Sequence, residues 1–369
     1  MRFPEFADEW KQTTLGEIAS FCGGGTPSSE KVSYWNGHIP WISSSDISAK
    51  SISNINITRF ISEEALLSSA TKLCKAPCIV IVSRVGVGKL AYSKNDICTS
   101  QDFCNMYDIK ENYIFMSYLL LPMMNKKSLE VQGTSIKGIT MQEIKSLFVS
   151  LPSLAEQEKI ASFLSLIDER IESCSETIKE IKAQKSCLRT LILNTIIVRW
   201  IKLKQAVEQG IINLKRGEVI PKQSQSSENI YPVYSSSVQN KGLMGFHNSY
   251  MFDKELISWS IDGGGHLFYR PRHKFNVTNV CGVLETSCFD YVFLCEVLKE
   301  QHRKLLFDYQ NKAHPSVIQE LYQVPMLEIS EQRYYGKLFR LLDERIEVEE
   351  ELLKQYEMQK KYLLRQMFI

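Results

Sequence analysis

Two stretches of the chain carry apolar residues at intervals that alternate between four and three positions, which is the pattern of a heptad helix. The first stretch begins at Ile160, and the second begins at Tyr335. Lys185 and Lys360 interrupt the apolar pattern at the same place in each stretch. The pattern predicts two long helices of roughly 50–60 Å each, at about 1.5 Å per residue.

The sequence itself also repeats. Glu156-Gln157 recurs as Glu331-Gln332, and the run Asp-Glu-Arg-Ile at 168–171 recurs at 343–346 with the same offset in residue number. A period this long is typical of two similar halves, each a globular block followed by a helix. Two matched helices in one chain can pair antiparallel, and a lone polar residue in the heptad core can set their register. A homodimeric coiled coil is the alternative.

The two globular blocks share an outline. Each contains a short apolar strand, then a glycine-bearing segment, then a helix (78–83, 84–89 and 114–124 in the first block; 256–261, 262–266 and 289–300 in the second). Because strands and helices do not alternate regularly, we expect antiparallel or mixed sheets. Pro152 and Pro325 lie just before the heptad stretches, where a proline can end the preceding strand.

These patterns predict an α/β (α+β) fold with two similar globular domains, separated by two long antiparallel coiled-coil helices in a pseudo-twofold internal repeat. We expect four segments in chain order: 1–150, a first globular domain; 151–198, a first spacer helix; 199–325, a second globular domain; and 326–369, a second spacer helix.

Composition narrows the class of protein only a little. The net charge is +2, and the slight basic excess of each globular block permits nucleic-acid binding without arguing for it. No apolar stretch approaches the roughly 20 residues that a membrane span needs, and the first residues lack the apolar core of a signal peptide. We therefore expect a cytoplasmic protein. The ten cysteines show no spacing typical of a zinc site, which favours buried free thiols.

Catalytic signatures are absent from the sequence. The glycine-rich segments 23–25 and 86–89 match neither GxxxxGK[ST] nor GxGxxG, and turns that need a positive φ explain them better. There is no HExxH, no GxSxG, no Asn/Asp-Pro-Pro-Tyr/Phe, and no ligand pattern among the six histidines. We expect no catalytic residue, no metal site and no cofactor.

An ordered set of short motifs resembles the specificity subunits of type I restriction-modification systems. Leu15-Gly16-Glu17-Ile18, followed by 24–28 (GGTPS) and 34–42 (YWNGHIPWI), resembles the opening of a target recognition domain. In the second half the corresponding runs are 216–222, 231–237 and 240–242. Leu-Pro-Ser-Leu-Ala-Glu-Gln at 151–157 resembles that family's spacer region, although the second spacer opens differently, with Val324-Pro325.

The resemblance implies a non-catalytic DNA-binding subunit. Each globular block would read one half of a split, asymmetric site in double-stranded DNA, with the paired helices as the spacer. The helices would also dock two methyltransferase subunits, which carry S-adenosylmethionine and flip the target adenine. Restriction and translocase subunits using ATP and Mg²⁺ would complete the complex.

For DNA contacts we favour polar loop residues near glycines, where side chains can reach base edges or phosphates. In the first block these are Thr26, Ser44, Ser45, Arg84, Lys89 and the segment 132–137, with Thr134, Ser135 and Lys137. In the second they are Tyr234, Ser236, Ser237, Asn240, Lys241, Lys312 and His314.

Two other functions are compatible with the sequence. In a coiled-coil scaffold the globular blocks would bind protein, and no sequence-specific DNA recognition would occur. A stand-alone nuclease or methyltransferase would need a degenerate active-site motif. The absence of methyltransferase partners would favour the scaffold, and activity of the purified chain on DNA would favour the enzyme.

Overall fold

The computed structural model describes residues 2–131, 138–195, 198–220, 229–262, 264–307 and 310–368. The chain divides into two compact units: a first unit of residues 1–174 and 352–369, and a second unit of residues 175–351. Each unit contains a mixed α/β block and segments of two long helices. The predicted mixed α/β class is confirmed. The four predicted segment boundaries stay predictions.

The first unit is built from strands β1 to β10 and helices α1 to α4, together with parts of the long helices. The strands are β1 (Lys11–Thr14), β2 (Ser20–Gly23), β3 (Ile39–Ile42), β4 (Arg59–Ile61), β5 (Leu73–Cys74), β6 (Cys78–Val82), β7 (Leu90–Ser93), β8 (Ile97–Thr99), β9 (Phe103–Tyr107) and β10 (Phe148–Leu151). The helices are α1 (Leu15–Ile18), α2 (Glu63–Ser68), α3 (Tyr113–Val131) and α4 (Met141–Lys145), and the long helix α5 (Leu154–Thr195) follows.

The second unit follows the same plan. Its strands are β11 (Trp200–Lys202), β12 (Ile212–Arg216), β13 (Tyr231–Tyr234), β14 (Leu243–His247), β15 (Phe252–Asp253), β16 (Leu256–Ser260), β17 (Leu267–Arg270), β18 (Lys274–Val277), β19 (Cys281–Thr286) and β20 (Gln323–Pro325). Its helices are α6 (Leu203–Glu208), α7 (Tyr291–His302) and α8 (Pro315–Leu321), and the long helix α9 (Ile329–Met367) follows.

The sheets of the two units have equivalent strand orders. In the first unit they are β2-β9-β6-β7, β4-β3-β8-β5 and the pair β1-β10; in the second they are β12-β19-β16-β17, β14-β13-β18-β15 and the pair β11-β20. Most pairings are antiparallel, but β3 with β8 and β13 with β18 are parallel. Each strand of the first unit therefore corresponds to the strand of the second unit whose number is higher by ten. The predicted internal repeat and the predicted mixed sheets are confirmed.

Buried strands form the centre of each block. In β6 all five residues, Cys-Ile-Val-Ile-Val, are buried, because this strand lies between β9 and β7 and is covered on both faces. Its equivalent β16, Leu-Ile-Ser-Trp-Ser, is buried throughout as well. Both strands were predicted from their apolar runs, and the helices predicted at 114–124 and 289–300 are present as α3 and α7.

Much of the predicted heptad core of α5 and α9 is buried, while Ile171, Leu188, Tyr335, Leu342, Leu353 and Tyr356 are partly exposed. Its buried apolar members are Ile160, Leu164, Ile167, Cys174, Ile178, Ile181, Ile192, Phe339, Ile346, Leu363 and Met367. Within the second unit Lys182 pairs with Glu350 and Lys185 pairs with Asp343. Residue numbers therefore rise along one helix as they fall along the other, which is the predicted antiparallel arrangement within one chain.

Candidate nucleic-acid interface

Loops at one edge of the first block are held together by backbone hydrogen bonds; we call residues 24–26, 43–46, 83–89, 99–102 and 138–140 the first loop surface. The Gly25 amide donates to Thr99 O (2.8 Å), and the Ser100 amide donates to Ile42 O (2.9 Å). The Ile139 amide donates to Ser83 O (2.7 Å). Ser83, Thr99 and Ser100 are buried in this arrangement. The exposed polar side chains of the same loops are Thr26, Ser45, Arg84 and Gln101.

The second block repeats this arrangement; residues 217–218, 235–242, 261–262, 264–266, 278–281 and 310–314 form the second loop surface. The Thr278 amide donates to Tyr234 O (2.9 Å), as Ser100 does to Ile42. The Ala313 amide donates to Ile261 O (3.1 Å), as Ile139 does to Ser83. The two loop surfaces are therefore built from equivalent segments with equivalent bonds.

A glycine at the start of each loop surface packs directly against backbone. A Cβ on Gly24 would lie 2.0 Å from Ser100 O, and a Cβ on Gly217 would lie 2.2 Å from Val277 O. Neither glycine has a positive φ. The predicted positive-φ role is thus wrong for the segment 23–25, where close approach of two chain segments is the reason for glycine. It is confirmed for Gly86 (φ 92°) and Gly88 (φ 106°).

The first loop surface brings together the predicted residues that fall among the described ones. Thr26 is exposed and donates to the side-chain oxygen of Gln101. The Lys89 ammonium donates to Ser44 O (3.0 Å), while Ser45 and Arg84 are exposed nearby along the same loops. Thr134, Ser135 and Lys137 lie outside the described residues. The remaining five therefore share one edge of the block.

The second loop surface contains every predicted residue of the second block except Tyr234, which lies directly next to it. Ser236 is partly exposed, and Ser237, Asn240 and Lys241 are exposed. The Lys241 ammonium pairs with Glu347 of α9 (2.7 Å), and Lys312 pairs with Asp262 (2.9 Å). His314 is the N-cap residue just before helix α8, and its amide donates to Lys312 O (2.9 Å). Tyr234 lies half-buried at the end of β13.

Several residues that belong to these surfaces or bond to them were not predicted from the sequence. Arg59 lies over the Trp41 ring at 4.6 Å and pairs with Asp46 in the loop 43–46. Burial alone would raise the pKa of Asp46, but hydrogen bonds from Ser43 and the Arg59 charge outweigh it and lower that pKa. Arg270 and Gln101 were also missed. All of them depend on contacts between segments that are distant in sequence.

Each block is joined to the long helices by an equivalent set of polar contacts. Gln157 accepts the backbone N–H of Asn112 (3.0 Å), the residue before α3, and Gln332 accepts that of Asp290 (3.0 Å), the residue before α7. Both glutamines also donate to a carbonyl five residues upstream. The repeated Glu-Gln motif therefore ties the start of each long helix to the start of a helix in the block.

A second set involves the lysines that interrupt the heptad pattern. Lys360 pairs with Asp168 (2.6 Å), and Lys185 pairs with Asp343 (2.7 Å). The Lys185 ammonium also forms an ion pair with the Glu296 carboxylate of α7 (3.0 Å). Burial raises the pKa of Glu296, but the charges of Lys299 and Lys185 outweigh burial and hold that pKa at about 2. Glu296 is therefore ionised at neutral pH.

The cysteines, the possible metal ligands and the helices of the described part of the chain bear on the corresponding expectations from the sequence. No group of three or more His, Cys, Asp or Glu side chains there is placed to hold a metal ion. The ten cysteines are free; seven are buried as expected, Cys22 is half-buried, and Cys187 and Cys288 are exposed. None of the described helices is long and apolar enough to cross a membrane.

The loop surfaces and the paired helices agree with a family model that matches most of the chain. The model is described as the type I restriction modification DNA specificity domain, and it matches residues 7–183 and again 208–358. The chain belongs to this family. The two matches coincide with the repeat seen in the fold and confirm the resemblance found in the motifs.

Curated specificity subunits are about a third identical to this chain over the aligned residues. The MjaIX specificity subunit of Methanocaldococcus jannaschii is 31% identical over 45% of this chain and 39% of its own length. The EcoR124I/EcoR124II specificity subunit of Escherichia coli is 32% identical over 48% of this chain and 45% of its own length. The match therefore spans less than half the length of either relative.

Solved structures of the family share the fold over the whole chain. The S subunit of a type I restriction-modification system from M. genitalium has a TM-score of 0.65 at 18% identity, covering 100% of this chain and 97% of that one. A chain from a study of type I restriction-modification complex assembly has a TM-score of 0.55 at 13% identity, covering 99% and 97%. These likenesses support the fold assigned to this specificity-family chain.

Proposed function

We propose that the chain is the sequence-specific DNA-binding subunit of a type I restriction-modification complex and that it reads a bipartite, asymmetric site. The first loop surface reads one half-site and the second reads the other. Side chains on the loops contact base edges, and basic side chains contact phosphates and set the orientation on the duplex. The chain itself is non-catalytic and acts in the cytoplasm.

One observation carries this proposal: two blocks of the same topology present equivalent loop sets whose side chains differ. The backbone bonds at Ser100 and Thr278 are equivalent. The outward residues are not, since Thr26, Arg84 and Lys89 have no identical counterparts at the equivalent places in the second block. Equivalent scaffolds with different outward side chains suit the reading of two different half-sites.

The long helices supply the other half of the proposal. Helix α5 has 42 residues and α9 has 39, which far exceeds an ordinary globular helix. We assign to them the spacing between half-sites and the docking of two methyltransferase subunits, with restriction and translocase subunits joining that assembly. The proposed segments 1–150 and 199–325 are the target recognition domains, and 151–198 and 326–369 are the spacers.

Modified-base sequencing tests this function. DNA from cells that express this chain with its cognate methyltransferase subunit should carry N6-methyladenine in both halves of a split motif. Exchanging residues 10–150 for those of a relative should change one half of the motif and leave the other unchanged. The control replaces only the solvent-exposed side chain of Lys204, which is not part of either loop surface and pairs with Glu320.

Two results would contradict the proposal. Methylation that does not depend on this chain would show that another protein recognises the site. An active methyltransferase partner without any split motif would favour the coiled-coil scaffold, in which the blocks bind protein. Nuclease or methyltransferase activity of the purified chain alone would contradict its non-catalytic role.

A further inference from the structure

Arg270 is a buried cation that the proposed function does not use. It closes strand β17, and only 3% of it is exposed. Burial lowers the pKa of its guanidinium to about 10, so the side chain still carries its charge at neutral pH. Its hydrogen-bond partners in the described residues are neutral oxygens. A buried charge held in this way is costly, and its contacts therefore need an explanation.

The guanidinium connects the strand scaffold to a loop. Its Nε donates to Ser258 Oγ of β16 (2.9 Å), and one terminal nitrogen donates to Lys241 O (2.7 Å). The guanidinium carbon lies 3.7 Å from the centre of the Tyr234 ring. A planar guanidinium can make both bonds and stack on the ring at once, which a lysine ammonium cannot do.

The loop that Arg270 holds is residues 235–242. It is closed at its base by the Ser235 amide, which donates to Gly242 O (2.8 Å). Asn240 and Lys241 adopt left-handed backbone conformations, with φ of 49° and 50°. Such conformations are unfavourable for residues other than glycine, and for lysine more than for asparagine, so they persist where neighbouring contacts impose them. The Arg270 bond to Lys241 O is such a contact.

Tyr234 extends the same support. Its hydroxyl lies 3.2 Å from His273 Nε2, and the His273 ring stacks on Phe275 at 4.5 Å. The ring on which Arg270 packs is therefore fixed at its far end by His273, which lies in the connection between β17 and β18. Tyr234 acts here as a support for the loop, in addition to any contact it makes with DNA.

The first unit contains a comparable contact. Lys89 lies just before β7, the strand equivalent to β17, and its ammonium donates to Ser44 O (3.0 Å). Ser44 lies in the loop after β3, and β3 is equivalent to β13, which precedes the loop 235–242. Lys89 and Arg270 stand at opposite ends of their equivalent strands. What the two units share is therefore the type of contact, a basic side chain bonded to a backbone carbonyl of the loop after β3 or β13.

We propose that the loop 235–242 is a base-reading element of the second half-site and that Arg270 is the positioning residue that fixes its shape. This inference rests on the proposed function. Arg270 is too buried to reach DNA and acts through the loop. Ser236, Ser237, Asn240 and Lys241 are the outward side chains that it positions.

The test compares the full-length chain and its variants, each with the cognate methyltransferase subunit. Once sequencing and the exchange of residues 10–150 have assigned the second half-site, discrimination is measured with duplexes that carry single base-pair changes in either half. Arg270→Met should reduce discrimination at the second half-site by about fivefold or more, the low end of the cost of one mismatched base pair. Discrimination at the first half-site should be unchanged.

Two further variants make the result specific. Arg270→Lys keeps the charge but lacks the planar guanidinium that bonds Ser258 and Lys241 while it stacks on Tyr234, so it should also lose discrimination at the second half-site. Arg272→Met removes the same charge two residues away, from a side chain that is 75% exposed and only 3.6 Å from Asp253, and should leave the second half-site preference intact.

Two outcomes would overturn the inference about Arg270. Full second half-site discrimination in Arg270→Met and Arg270→Lys would show that Arg270 does not position a reading element. An equal loss at both half-sites would show that it supports the chain as a whole. Absence of any split motif with the unaltered chain is a failure of the proposed function, and it is seen before either variant is measured.

Discussion

Lys360 and Asp168 form an ion pair of 2.6 Å in which the side chains are only 7% and 14% exposed. The pair recurs in the second unit at the offset of the sequence repeat, since Lys185 pairs with Asp343 at 2.7 Å. The third partner differs between the units. In the first unit Tyr118, the sixth residue of α3, donates a hydrogen bond to Asp168 (2.8 Å). In the second unit Glu296, the sixth residue of α7, forms an ion pair with Lys185. The repeat therefore retains the pair and varies the group from the block that joins it.

Lys360→Met should destabilise the chain, because it leaves the Asp168 carboxylate poorly solvated and without its cation. Removing one partner of a buried pair costs on the order of 3 kcal/mol or more in the free energy of unfolding. Chemical denaturation followed by circular dichroism measures the loss. Lys50→Met is the control, because its pair with Glu357 is exposed and contributes at most about 1 kcal/mol. The double variant Lys360→Met/Asp168→Leu should regain part of the lost stability, because the carboxylate is then absent as well. A double variant that is no more stable than Lys360→Met would contradict this explanation.

Acid should weaken the second unit through Glu296. Its pKa is held at about 2 in the folded chain, below the ordinary value of 4.5, so its contribution to stability is complete above pH 4.5. That contribution is lost as the pH falls from about 4.5 to about 2. Glu296→Gln should therefore be less stable at neutral pH and should lose less stability across this window. Parallel acid-unfolding curves for the two proteins would contradict the prediction.

Gly24→Ala should disturb the first loop surface. The added Cβ would lie 2.0 Å from Ser100 O, so one of the two backbone segments has to move. Such overpacking costs about 1–3 kcal/mol in the free energy of unfolding. Gly245→Ala is the matched control, because no atom lies within 4 Å of the added Cβ, and it should change stability by less than about 0.5 kcal/mol. Thermal unfolding distinguishes them, and equal effects would refute the packing argument.

Lys137→Ala combined with Lys312→Ala should weaken DNA binding and reduce its salt dependence. Each lost phosphate contact lowers the slope of log K against log salt by about 0.9. Titration of the methyltransferase complex onto a duplex with the identified motif, at several salt concentrations, measures both quantities. Lys204→Ala, which removes an exposed charge paired with Glu320, is the control. An unchanged affinity and slope would remove both lysines from the proposed DNA surface.

Much of the architecture follows from the sequence because the relevant signals are local or periodic. The heptad spacing predicted α5 and α9, and burial of Ile160 and its counterparts confirms it. The constant offset between the repeated motifs predicted two equivalent units. Apolar runs predicted β6 and β16, since a short, mainly apolar run is typical of a buried strand.

The contacts that shape the loop surfaces could not be predicted in the same way. Arg270 bonds Lys241 and Ser258, and Arg59 bonds Asp46, across turns whose geometry no short motif encodes. The glycine run that contains Gly24 is typical of a flexible turn. Glycine is needed at this position, however, because the backbone packs closely against Ser100, which is distant in sequence. All of the predicted DNA contacts stay predictions, and Thr134, Ser135 and Lys137 also lie outside the described residues.

The hydrophobic core of the first unit has a consequence for how the chain matures. Leu363, Leu364 and Met367 pack in the same core as Leu15 and its neighbours, and the Phe368 ring lies 5.6 Å from that of Phe115. During translation the ribosome delivers the whole of 175–351 before it delivers these residues. The first unit to begin synthesis is thus the last to be completed, and we expect the apolar surface that residues 363–368 cover to stay exposed on the nascent chain until then.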